Sequence, residues 1–215
     1  REEIGELLGD LSSDLETITK HGKRADSIVK NMLLHSSVNG GERMPTDINA
    51  LVSEALGLAY HGERATDRNF QIKMDTRFSE DLKTLMVIPQ DITRVLINLF
   101  SNAFYATKKR INSEQHKSFS PTITISTQSV ENGIEIRIRD NGIGIPEVHQ
   151  KELFTPFFTT KPAGQGTGLG LSISHDIISK QNNGRLEVES KEGDYTEFLI
   201  WLPLSSFEGN VNATQ

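Results

Sequence analysis

The sequence predicts an α+β protein: a two-layer α/β sandwich, in which helices cover one face of a mixed, mainly antiparallel sheet, behind a long bundle-forming helix. Apolar residues repeat in a heptad pattern near the start of the chain, which predicts a helix that packs on other helices. Later segments alternate between helical apolar periodicity and the two-residue periodicity of strands, with turn residues between them. The last strands form hairpin pairs, which favour antiparallel pairing.

The composition argues against several classes of protein. Acidic and basic residues are mixed along the chain and leave a net charge of −6, which gives no electrostatic reason to expect nucleic-acid binding. The chain has no cysteine, which excludes disulfides and thiolate metal sites and fits a cytoplasmic location. Its apolar runs are too short to span a bilayer. Because the chain begins at Arg1 rather than Met, we expect a fragment whose membrane contact, if any, lies in absent upstream segments.

We expect residues 1–38 to form the leading helix, with a turn-rich linker at 39–46. The partner that covers its apolar stripe is another segment of the full protein, a second copy, or the globular part. The heptad positions are Ile4, Leu8, Leu11, Leu15, Ile18, Gly22, Ala25, Val29 and Met32.

The globular domain is expected at 47–205, followed by a polar tail at 206–215. Thr46 or Asp47 caps its first helix, and Pro89 suits the first turn of a second helix at about 90–111. One face of the first helix is apolar: Ile48, Leu51, Val52, Ala55, Leu56 and Ala59. Strands are predicted around Phe70–Met74, at Leu85–Ile88, at Thr122–Val130 with Ile134–Asp140, and at Arg185–Ser190 with Thr196–Leu202; a helix spans about Leu169–Asn182.

Two asparagines on the second predicted helix are candidate metal ligands. Asn98 and Asn102 are four residues apart, so both side chains point from one face of the helix. Amide oxygens, together with phosphate oxygens and water, suit octahedral Mg²⁺ bound to a nucleotide. The alternative is a pair of ordinary polar surface residues, although their apolar neighbours place them at the edge of a buried surface.

Two glycine-rich segments complete a candidate nucleotide site. Asp140 ends a strand and can accept a hydrogen bond from an exocyclic amine such as that of adenine, while Gly142 and Gly144 let the backbone approach a flat ring. Alternating glycines then lead into a helix, where free N–H groups can cradle phosphates, and Lys161 precedes them. The alternatives are a tight turn for the first segment, a flexible loop for the second, and a solvated lysine. The alternating glycines are Gly164, Gly166, Gly168 and Gly170.

These segments, in this order, resemble the catalytic ATP-binding domain of sensor histidine kinases, within the GHKL group of ATPases, whose fold is the Bergerat type. Asn98 and Asn102 match the family's asparagine box, and residues 140–145 match its first glycine box. Phe154–Phe158 matches its phenylalanine box, and 166–171 its second glycine box. The resemblance implies that ATP is bound by Asp140, Gly142, Gly144, Ile145, Lys161, Gly164, Gly166, Thr167, Gly168, Leu169, Gly170, Leu171 and Thr196, with Mg²⁺ on Asn102 and Asn98.

The resemblance also implies function and partners. Asn98 and Lys161 would take part in transfer of the γ-phosphoryl group to a histidine, and a response-regulator aspartate would receive it next. Residues 24–33 resemble the second helix of a dimerisation hairpin, so the full protein would form a homodimer through residues 4–32. None of the six histidines has the sequence context of the family's phosphoacceptor. The alternatives are a serine kinase of the anti-sigma type and a nucleotide-binding dimerisation module without activity.

Overall fold

The structure, a computed structural model, describes residues 41–112, 119–162 and 166–204, together with Asp14, Leu15, Thr17 and Gly22. The predicted heptad helix, apart from those four helical positions, and the predicted tail at 206–215 lie outside the described residues. The chain divides into two compact units, of which the larger comprises 41–151 and the segment from 174 onward. Residues 152–173 belong to the other unit. No helix in the described ranges is long and apolar enough to cross a membrane.

Seven strands and four helices are described, and a π-helical turn, Ile177–Gln181, follows the last helix directly. The strands are β1 (Met44–Thr46), β2 (Lys73–Phe78), β3 (Leu85–Val87), β4 (Thr122–Val130), β5 (Gly133–Asp140), β6 (Arg185–Lys191) and β7 (Tyr195–Pro203). The helices are α1 (Ile48–Thr66), α2 (Pro89–Ile111), α3 (Glu147–Gln150) and α4 (Gly170–Asp176).

The main sheet has five strands in the order β2-β4-β5-β7-β6. Among the described strands of this sheet, β2 and β4 pair in parallel and the other three pairs are antiparallel. The predicted mixed, mainly antiparallel sheet is therefore confirmed. Asn132, in the β4–β5 turn, has a φ of 59°, and Gly193, in the β6–β7 turn, has a φ of 75°. These left-handed positions explain why Asn-Gly and Gly-Asp sequences close the two hairpins.

The core lies between α1 and α2 and one face of the sheet. Along β4 as far as Thr127, along β5 from Ile134 and along β7, every second residue is buried. The apolar face predicted for α1 is buried at every position, and Asp47 caps that helix by accepting a hydrogen bond from Ala50 N at 3.1 Å. Pro89 occupies the first turn of α2, as expected. The sheet residues with 0% exposure are Ile123, Ile125, Ile134, Ile136 and Ile200.

The segment predicted as a linker at 39–46 is not a connector throughout. Met44–Thr46 form β1, which pairs antiparallel with β3 and makes a second, two-stranded sheet. Arg43 fixes this entry segment, because its guanidinium donates to Met86 O at 3.0 Å, to Asn182 Oδ1 at 3.3 Å and to Gln181 O. The partners are more than forty positions away in the chain, so local turn signals could not predict the strand.

Two other predicted elements differ in detail. The strand expected around Phe70–Met74 begins only at Lys73, and Phe70 and Ile72 are buried in the segment before it. The last helix widens into a π-helical turn at Ile177. Contacts outside the helix satisfy the carbonyls of this turn: Asn182 Nδ2 donates to Ile177 O at 2.8 Å, and Gly184 N donates to Ile178 O at 2.9 Å.

Candidate nucleotide-binding site

Helix α2 carries the predicted metal ligands. Asn98 and Asn102 are partly exposed, whereas Leu99 and Ala103 between and beside them are buried. The amide nitrogen of Asn98 donates a hydrogen bond to the hydroxyl oxygen of Ser174 at 3.0 Å. The two asparagines therefore lie at the rim of the α2 packing surface, as the sequence predicts, and the amide of Asn98 has a fixed partner.

Asp140 is a buried carboxylate at the last position of β5. The residue is 3% exposed, and Oδ1 accepts a hydrogen bond from Gly142 N at 2.8 Å. Burial raises the pKa of Asp140 to about 7, against a smaller opposing effect of the Gly142 hydrogen bond. A ligand that brings a hydrogen-bond donor to this carboxylate stabilises its charged form, so binding of such a ligand is favoured.

Thr196 adjoins this carboxylate. It pairs with Asp140 across β5 and β7, and it is 3% exposed. Its hydroxyl lies 3.0 Å from the hydroxyl of Ser190, which faces it from β6. The structure thus brings the last residue of the predicted set beside Asp140, although the two are far apart in sequence.

The glycines after Asp140 are required by the protein backbone itself. A Cβ on Gly142 would lie 2.6 Å from Ala106 of α2 and 2.6 Å from Asp140 Oδ1. Gly144 has a φ of 65°, and a Cβ there would lie 2.1 Å from Lys191 O. The sequence suggested glycine for the approach of a flat ring, but the structure shows that both positions are first needed to seat the loop against α2 and β6.

Arg110, which the sequence analysis missed, fastens this loop to the end of α2. Its Nη1 donates to Asn141 O at 2.7 Å, to Gly142 O at 3.1 Å and to Asp194 O at 2.8 Å. Ile143 N also donates to Ala106 O at 3.3 Å. In the sequence, Arg110 is one of three consecutive basic residues that end a helix, so nothing marked it as different from its neighbours.

Ser190 fastens the other side of the loop and was also missed. Its hydroxyl accepts a hydrogen bond from Ile145 N at 2.8 Å and donates to Tyr195 O at 2.7 Å. Gln150 Nε2 donates to Ile145 O at 2.9 Å and to Ser190 O at 3.0 Å. Ile145, a predicted site residue, is therefore held through both its N–H and its carbonyl.

Residues 152–173 form part of the other unit and include the second glycine-rich segment. Gly168 has a φ of 70°, and a Cβ there would lie 2.3 Å from the carbonyl carbon of Phe157, which itself has a φ of 69°. Lys161 N donates to Thr159 Oγ1 at 3.1 Å, and the Cβ position of Gly166 lies 2.8 Å from the same hydroxyl. The phenylalanine-rich segment and the glycines thus pack on one another.

The second glycine-rich segment leads into α4, as predicted. Leu169 N donates to Thr167 Oγ1 at 3.4 Å, Leu169 is buried, and α4 begins at Gly170. Leu171 is partly exposed in the first turn. Gly164 lies outside the described residues.

Comparison with known proteins agrees with this fold. Residues 88–206 match the family model of the histidine kinase-, DNA gyrase B-, and HSP90-like ATPases. The sensor histidine kinase ZraS of Escherichia coli K12 is 30% identical over 197 residues, which are 92% of this chain and 39% of that protein. The sensor protein kinase WalK of Staphylococcus epidermidis is 29% identical over 97% of this chain and 30% of its own length. The chain thus spans well under half of these relatives.

Solved structures give the same result. The nucleotide-free catalytic domain of histidine kinase ThkA superimposes with a TM-score of 0.59 at 27% identity, and the match covers 76% of this chain and 96% of that domain. The family match includes α2, the Asp140 loop, the second glycine-rich segment and both strands beside Thr196. The resemblance seen in the sequence is confirmed, and the chain belongs to the family of histidine kinase-, DNA gyrase B-, and HSP90-like ATPases.

Proposed function

We propose that this chain is the ATP-binding catalytic core of a two-component sensor histidine kinase. The observation that carries the proposal is the buried Asp140 carboxylate at the end of β5, which is 3% exposed and has one oxygen engaged by Gly142 N. Burying a carboxylate without a cation or several donors is unfavourable, so such a group is expected where a ligand supplies a donor. The exocyclic amine of adenine is a donor of this kind.

Asp140, Gly142, Gly144, Ile145 and Thr196 would bind the adenine. Asp140 would accept a hydrogen bond from the amine, and Thr196 pairs with Asp140 on the neighbouring strand β7. The loop that contains the glycines is held on one side by Arg110 and on the other by Ser190, so its backbone is ordered before ligand binds. An ordered loop lowers the entropy lost on binding.

Asn98 and Asn102 would hold Mg²⁺ together with phosphate oxygens of the nucleotide. Neutral amide oxygens fit this cation, which binds through a few protein ligands and keeps phosphate and water as the rest. The ion would neutralise charge on the phosphates during transfer. The phosphates would be bound by the residues that the sequence predicts for this role: Lys161, Gly164 and 166–171.

Phosphoryl transfer to a protein side chain is favoured over hydrolysis. Asn98 occupies the position where hydrolytic branches of the group, by resemblance, carry a glutamate that activates water. An amide has no usable basicity, so Asn98 cannot act as a general base. The acceptor would be a histidine imidazole, whose nitrogen attacks the γ-phosphorus in line while ADP leaves. A response-regulator aspartate would take the phosphoryl group next, in the cytoplasm.

The test is to mix the chain with γ-labelled ATP and a separate fragment that carries a phosphoacceptor histidine hairpin. Label on that fragment that is lost in acid and kept in alkali supports the proposal. Label that survives acid would indicate the serine kinase, and ATP binding without any transfer would indicate the module without activity. The variant Asp140→Ala is the control, and it should transfer no label.

A further inference from the structure

A buried hydroxyl interrupts the apolar face of the last helical run. Ser174, on α4, is 2% exposed, and one turn later on the same face Ile177 and Ile178 are 1% and 0% exposed. The π-helical turn that contains these isoleucines packs against α2. A hydroxyl in such a place requires a hydrogen-bond partner, because an unsatisfied buried hydroxyl is costly.

The partner of Ser174 is the side chain of Asn98. The Asn98 amide nitrogen lies 3.0 Å from Ser174 Oγ and donates to it. The nitrogen and oxygen of an amide point in different directions from the same carbon. With the nitrogen directed at Ser174, the oxygen Oδ1 of the same amide points in a different direction from Ser174.

We propose that Ser174 is a positioning residue for metal binding: by accepting from the amide nitrogen of Asn98, it directs the amide oxygen toward Mg²⁺. The inference rests on the proposed function, in which Asn98 helps to hold that ion. Ser174 is 2% exposed, so in this role it would act through Asn98 rather than by direct contact with the ion. Without its hydroxyl the Asn98 amide is free to rotate by half a turn and present N–H donors, which repel a cation.

The measurement is ADP affinity by calorimetry, with Mg²⁺ and then with EDTA, for the wild type and Ser174→Ala. We expect the gain in affinity from Mg²⁺ to fall by about two- to tenfold, the worth of one hydrogen bond between neutral groups, while affinity in EDTA stays the same. Asn98→Ala should lower the same gain, and adding Ser174→Ala to it should have no further effect.

Two further variants control for packing. Ser179→Ala removes another hydroxyl from the same helical run, one that donates to His175 O, and should leave the Mg²⁺ gain unchanged. Ser174→Cys nearly keeps the side-chain volume but is a poor acceptor, so it should behave like Ser174→Ala. If Ser174→Ala fails to fold, the cysteine variant gives the answer.

The outcomes separate this inference from the proposed function. A wild type that gains nothing from Mg²⁺ would overturn the proposed metal site. A wild type that gains from Mg²⁺, with Ser174→Ala and Ser174→Cys equal to it, would overturn the positioning role alone. If Ser174→Ala lost the same affinity for ADP with Mg²⁺ and with EDTA, the Ser174 hydroxyl would serve only the structure of the fold. That result would also overturn the positioning role.

Discussion

At the scale of single residues, the fold places a carboxylate where its charge is disfavoured. Burial raises the pKa of Asp140 to about 7, well above the value near 3.8 expected for an unfolded chain. Between these two pH values the folded state holds a proton that the unfolded state releases. Stability must therefore fall as pH rises from about 4 to 7, and the full penalty remains above pH 7.

This linkage predicts that Asp140→Asn stabilises the free protein. The uncharged amide removes a penalty on the order of 4 kcal/mol that builds up across this window, less the cost of a buried N–H group, so we expect a net gain of about 1–3 kcal/mol at pH 8. Urea unfolding at pH 4 and pH 8 measures it. The gain in unfolding free energy should shrink toward pH 4. If Asp140→Asn were less stable than the wild type at pH 8, the raised pKa of Asp140 would be contradicted.

Glycine substitutions give a second prediction at this scale. Gly144→Ala should destabilise the fold by more than about 2 kcal/mol, because its φ is 65° and a Cβ would strike Lys191 O. Gly57→Ala, inside α1 with open space around its Cβ position, should stabilise it by about 0.5–1 kcal/mol. Thermal unfolding of both variants tests this pair, and changes of the same sign would contradict it.

At the scale of elements, α2 joins the two halves of the candidate site. It carries Asn98 and Asn102 on one face, and at its end Arg110 holds the Asp140 loop and the β6–β7 turn through three carbonyls. The same helix also seats Gly142 against Ala106. A change at the end of α2 should thus loosen the loop without moving the asparagines.

Arg110→Met should speed amide exchange at Ile143 and Gly193, whose N–H groups lie in the fastened segments, and lower stability by about 1–3 kcal/mol. The matched control is Lys109→Met, which changes an exposed cation at the neighbouring position of the same helix. Hydrogen exchange measured by mass spectrometry or NMR reads out both variants. Equal exchange in the two would mean that Arg110 does not hold the loop.

At the scale of the whole molecule, much of the fold follows from local pattern. The buried face of α1, the start of α2 at Pro89 and the two hairpins are confirmed because periodicity, caps and turn residues act within a few positions. The roles expected of Asp140, Asn98 and Thr196 rest on motifs rather than on contacts, and they stay predictions. The features that local pattern did not predict depend on partners distant in the chain. Strand β1 pairs with β3, Ser174 accepts a hydrogen bond from Asn98, and Arg110 donates to the loop at 141–142.

The predicted heptad stripe leads to an expectation for the molecule in solution. Exposed apolar stripes tend to find partners, so we expect the chain to self-associate through Leu8, Leu11, Leu15 and Ile18. Analytical ultracentrifugation over a wide concentration range should show a rising average mass. The double variant Leu8→Glu with Leu15→Glu should stay monomeric, and a wild-type mass that does not depend on concentration would contradict the expectation.

The central claim is that the Asp140 carboxylate recognises the amine of adenine. Calorimetry at pH 8 should compare Mg²⁺–ADP with Mg²⁺–inosine diphosphate, which lacks that amine. A hydrogen bond to a charged acceptor predicts about 10- to 150-fold tighter binding of ADP, and Asp140→Ala should remove most of the difference. Equal affinity of the wild type for the two nucleotides would contradict the account.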